Sequence, residues 1–117
     1  MNLFCDFCPN TNELTRGIST IALSPRAGAF VAVMASAGGS SVPSSTICLA
    51  LDIGQLTLAS ALREATEMLS RLRLMVVQGS RGTFRIADQD TSERVFIAVN
   101  RRGPHKMPKL EPAEVGA

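Results

Sequence analysis

The residues with the most chemical promise stand near the start of the chain, in LFCDFCPN, where Cys5 and Cys8 form a CxxC pair. Such a pair can supply half of a tetrahedral zinc site or act as a dithiol redox couple. Zinc needs further ligands, and the remaining soft candidates are Cys48 and His105, with no second CxxC and no HxxxH. A redox pair belongs at the start of a helix whose dipole lowers the thiol pKa. Here Pro9 and Asn10 follow at once and read as a turn. The three cysteines are therefore expected to be ordinary thiols, with no metal and no cofactor. A metal shared between two chains of a dimer is the one arrangement that escapes this reasoning.

The other groups with catalytic potential are poorly placed. His105, the only histidine, lies between Pro104 and Lys106 near the C-terminus, whereas a general base must be held within hydrogen-bond reach of its partner. Asp52 and the cluster Asp88, Asp90 and Glu93 read as solvated acids at strand ends and turns. DQDTSE opens like a calcium loop, but Glu93 and Val99 occupy the positions that need Gly and Glu. SAGGSS and GSRG contain glycine without the GK[ST] of a phosphate loop, and there is no GxSxG elbow. No catalytic residue is identified, and the chain is not read as an enzyme.

Arginine is the more informative residue type. Net charge is +2, yet residues 1–70 carry −2 and residues 71–117 carry +4. Arg71, Arg73, Arg81, Arg85, Arg94, Arg101 and Arg102, joined by Lys106 and Lys109, would converge if a C-terminal hairpin lay near the end of a helix. Arginine suits bidentate contact with phosphate or carboxylate, and such a patch would bind nucleic acid with salt-dependent affinity. Against this, Trp and Tyr are absent, which leaves little aromatic surface for stacking, and the pI is only about 8.7.

The elements that must position these groups follow from patterning. At 117 residues, 45% hydrophobic and 19% charged, the chain has the composition of one globular domain. Residues 1–16 read as a turn or short element, residues 17–100 as a single α+β domain, and residues 101–117 as a Pro-rich basic tail, extended or disordered. ISTIALS (residues 18–24) has strand character, PRAG reads as a turn, and AFVAVMA (residues 29–35) reads as a second strand. SAGGSSVPSS is a loop. TICLALDI (residues 46–53) alternates, with Ile47, Leu49, Leu51 and Ile53 on one face and Cys48 on the other, as in a third strand. Leu58, Ala61, Leu62, Ala65, Leu69, Leu72 and Val76 form a helical stripe capped by Thr57. Either this helix runs to Gly79 or the chain turns to strand near Leu74; the lack of Gly or Pro before Gly79 favours the helix. GTFRIAD and ERVFIAVN flank DQDTS as a hairpin. The expected fold is α+β, an antiparallel sheet of about five strands with one long helix on one face, in the order βββαββ.

Over roughly residues 18–100 that order resembles the small type III secretion chaperones, dimers that bind extended effector segments. The resemblance is topological and no motif carries it; this chain has no long closing helix and lacks their acidic character. The function expected is a non-catalytic protein-interaction module of adaptor, inhibitor or chaperone type, working as a homodimer or on a protein partner. It would bind through a sheet edge and through surplus apolar surface at Leu74, Met75 and Val77. The alternative is a nucleic-acid accessory protein using the Arg-rich C-terminal half. No small molecule is expected. Three cysteines with no convincing signal sequence point to the cytoplasm. AGAFVAVMASAGG ends in small residues, but the acids, arginines and Pro25 ahead of it argue against a cleaved signal. No apolar stretch has the ~18 residues of a membrane span.

Overall fold

Ser24 and Pro25 begin a helix where the pattern suggests a turn and a strand. A computed structural model describes residues 2–100, and in it Pro25–Ser36 is helix α1. The Ser24 hydroxyl accepts from the Ala27 amide, and Pro25 stands where a missing N–H costs nothing. Ala27, Phe30, Val31 and Met34 are then buried at helical spacing. The Ala-rich run favours this helix over the strand expected for residues 29–35.

Residues 46–53 are corrected in the same way. Ser44–Leu51 is helix α2. It buries the adjacent residues Ile47 and Cys48 and leaves Leu49 84% exposed, which no period-two pattern would do. Asp52 stops it in the left-handed conformation, and the Ile53 amide reaches back to the Cys48 carbonyl in a Schellman-type closure.

The long helix is shorter than expected. Helix α3, Gln55–Leu69, passes through a single tight turn at Ser70–Leu72 and ends there. Arg73, at φ 57°, takes the left-handed position usually filled by glycine. Leu74–Gln78 is strand β5, as Val76 and Val77 prefer. Thr57 is not the cap: Gly54 holds that place, with no side-chain cap bond.

The strands form two sheets instead of one sheet of about five. Phe4–Cys8 (β1), Glu13–Arg16 (β2), Ser19–Ala22 (β3) and Phe96–Val99 (β7) make a mixed sheet in the order β3-β2-β1-β7. Val42–Pro43 (β4), β5 and Thr83–Asp88 (β6) make an antiparallel sheet in the order β4-β6-β5. The hairpin expected across DQDTS does close its turn, since Asp88 N–H donates to the Glu93 carbonyl. Beyond the Ala87–Arg94 bridge its strands part: β6 pairs with β5, and β7 runs parallel to β1. With three helices and two sheets among the described residues the βββαββ order is gone, and the likeness to the secretion chaperones, which rested on it, goes too. The α+β class stands.

Helix α1 sits between the layers. It contacts β1 and β7 on one side and α2 and α3 on the other, so Phe30, Val31 and Met34 lie at the centre of a single core with Phe7, Leu14, Ile47, Leu69 and Leu74. Ser24 also donates to the Glu64 carboxylate, tying the start of α1 to α3. Among the described residues, no single helix is long and apolar enough to cross a membrane.

Candidate nucleic-acid interface

The chain from β4 to β6 is a closed unit. Strand β4 leads directly into α2, three residues (Asp52, Ile53, Gly54) follow, and α3 leaves at a bend of 85° to α2. That short, glycine-containing turn between two strongly angled helices is helix-turn-helix geometry. The β5–β6 hairpin comes next and returns to β4 through Val42–Phe84 and Pro43–Thr83. A Cβ on Gly82, in the hairpin turn, would lie 3.7 Å from the Ser44 hydroxyl, which places the turn beside the start of α2.

Helix α3 is divided into two faces. Leu58, Ala61, Ala65 and Leu69 are buried against the core. Gln55, Leu56, Ala59, Ser60, Arg63 and Glu67 are exposed. The first turn of α3 contains no acid, and neither does that of α2. Sequence reasoning missed this unit because TICLALDI reads as a strand. The signal that would have found it is Asp52-Ile53-Gly54, a turn that breaks the apolar run just ahead of the α3 stripe.

The arginines expected to converge are dispersed. Arg81 is exposed in the hairpin turn at φ 60°. Arg85 lies opposite Val77 on β6, and its Nη1 donates to the Ser92 carbonyl at 3.5 Å. Arg94 rests over the Phe96 ring, 6.0 Å from its centroid. Arg71 and Arg73 stand at the far end of α3, beside a groove of about 460 Å³ lined also by Asn2, Arg16, Ile18 and Asp90. Arg101, Arg102, His105, Lys106 and Lys109 lie outside the described residues. Leu74 is fully buried and offers no contact surface, while Met75 and Val77 are half-buried strand residues.

Four of the groove's five charges are committed to one another, and Arg71 stands outside both ion pairs among the described residues. Arg16 donates from Nε to the Asn2 carbonyl, from Nη1 to the Leu72 and Arg73 carbonyls, and from Nη2 to Asp88 at 2.6 Å. The second Asp88 oxygen accepts from the Asp90 amide and from both the amide and hydroxyl of Thr91. Burial by itself would raise the Asp88 pKa, but the Arg16 and Thr91 bonds outweigh it and hold the carboxyl below its usual range. Arg73 pairs with Asp90 at the surface and lowers the Asp90 pKa in turn. A carboxylate this fully hydrogen-bonded serves as a latch between the two sheets.

Cys5 and Cys8 are both buried on β1 and free. Burial pushes the Cys5 thiol up to about 11. Hydrogen bonding from Thr11 lowers that of Cys8. Among the described residues, no group of three or more His, Cys, Asp or Glu side chains could hold a metal ion. Comparisons with protein-family models, curated proteins and solved structures each found no match for this chain.

Proposed function

We propose that this chain is a non-catalytic nucleic-acid-binding module that lays α3 in the major groove of duplex DNA. In a helix-turn-helix the second helix reads the groove while the first braces it across the backbone. The observation that carries the reading is the outward face of α3, exposed from Gln55 to Glu67 and held at 85° to α2 by a three-residue turn. Arg63 on that face and Arg81 in the hairpin turn supply charge for phosphate. Neither forms an ion pair among the described residues. In place of a basic C-terminal half, the polyanion meets a helix face that carries Arg63. Fluorescence anisotropy with duplex DNA tests the reading. Affinity should fall steeply between about 50 and 200 mM salt; no binding at the lower salt would end it.

A second reading keeps the protein-interaction module. Phe4 and Phe96 stack with centroids 5.5 Å apart, and both are exposed. They stand where β7 forms an open sheet edge with the apolar sequence FIAV. Such an edge invites pairing with a second copy. Sedimentation would decide it: a dimer that dissociates in Phe96→Ser supports self-association, and a wild-type monomer excludes it.

A further inference from the structure

Resting on the nucleic-acid reading above, we infer that the front of α3 selects A·T-rich duplex DNA by touching thymine methyl groups. Leu56 is 100% exposed in the first turn of α3. Ala59 and Ser60 follow one turn later on the same exposed face, and Arg63 one turn after that. The leading eight residues of α3, Gln55–Leu62, therefore carry no charge.

Each base offers a different surface in the major groove, and the side chains present narrow the choice. Guanine is read by Arg or Lys donating to O6 and N7, and cytosine by Asp or Glu accepting from N4. The leading two turns of α3 have none of these. Asp52 lies in the turn before the helix, and Arg63 and Glu64 come only in the third turn. Gln55 matches adenine, with an amide that can donate to N7 and accept from N6. Leu56 and Ala59 match the C5-methyl of thymine, the one apolar feature of the groove. A leucine left wholly in water gains by burial against a methyl, and the gain is specific because cytosine presents a bare C5–H there. Arg63, one turn further along α3, and Arg81, in the hairpin turn, then meet phosphates and supply the non-specific part of the affinity.

The test uses the full chain and three duplexes of equal length at low salt: alternating A·T, the same with every thymine replaced by uracil, and alternating G·C. Uracil keeps the hydrogen-bonding edges and lacks only the methyl. Binding should be tightest to the thymine duplex and weaker by about fourfold for each methyl group that the protein no longer covers. In Leu56→Ser, a change at an exposed site whose folding circular dichroism can verify, the thymine–uracil difference should shrink or vanish while salt-dependent binding persists. Equal affinity for thymine and uracil duplexes, equal or tighter binding to G·C, or a difference that survives undiminished in Leu56→Ser would each overturn the inference and leave the nucleic-acid reading standing. Failure to bind any of the three overturns both.

Discussion

Arg16 uses four of its five donors at once, and Asp88, with no exposed surface, receives it. Removing one partner of a buried pair strands the other without solvent, which costs more than the pair itself contributes. Arg16→Ala is therefore expected to lower the melting temperature by more than about 10 °C. Arg16→Lys should rescue little, because an ammonium cannot span Asn2, Leu72, Arg73 and Asp88 together. The pH dependence follows from the depressed Asp88 pKa. Folding favours the ionised carboxylate, so the stabilisation is complete above about pH 4, the ordinary aspartate value, and is lost as pH falls through the lower folded value. Asp88→Asn should show a flatter acid limb in denaturation than the wild type. Cys5 works in the opposite direction. Its thiol is raised from 9.0 to about 11, so folding favours the protonated form. That contribution is present below about pH 9 and disappears as pH climbs towards 11. Urea titrations across that range should show Cys5→Ala losing less stability than the wild type.

At the scale of elements, Gly28 is the most informative position. Alanine normally stabilises a helix over glycine by about 0.5–1 kcal/mol. Here a Cβ at residue 28 would fall 1.8 Å from Asn12 Oδ1, and the Asn12 amide donates to the Leu23 and Ser24 carbonyls. Asn12 itself is held at φ 59°. Gly28→Ala should therefore destabilise by about 2 kcal/mol, roughly the net worth of the two hydrogen bonds displaced. In an Asn12→Gly background the same change should turn neutral or favourable, and a double-mutant cycle of urea midpoints would measure the difference. The same pair shows what the sequence could reveal. The α3 stripe and the turn at DQDTS were legible because local pattern decides them. Helix α1 was missed although Ser24-Pro25 is a start signal, because AFVAVMA satisfies strand propensity equally well. Helix α2 was missed because an eight-residue apolar run has no reliable period. Arg73 closing α3 without glycine, and β7 leaving its hairpin for β1, are decided by tertiary packing across nearly the whole chain. No window of sequence contains them. The candidate site inherited the error at α2, since a helix-turn-helix cannot be seen while its first helix is read as a strand.

For the molecule as a whole, the charge asymmetry of the sequence does not become two charged halves. Arg16 of the acidic segment is spent on Asp88 of the basic one, and β7 pairs with β1. What matters for a polyanion is which arginines stay unpaired on the surface that meets it. Arg63 on the outward face of α3 and Arg81 in the hairpin turn are exposed and outside both ion pairs; Arg71 is so too, but at the far end of α3. Arg94 is engaged with Phe96 on the other sheet, and Arg16 is walled into the latch. Counterion release ties each phosphate neutralised to about one unit of slope in a plot of log affinity against log salt. Arg63→Ala and Arg81→Ala should each weaken duplex binding and reduce that slope by about one, with the two effects adding in the double variant because the sites are independent. Arg94→Ala should leave the slope unchanged. If Arg94→Ala removed a unit and Arg81→Ala none, the nucleic acid would be seated on the Phe4–Phe96 face, and α3 would not be the helix it meets.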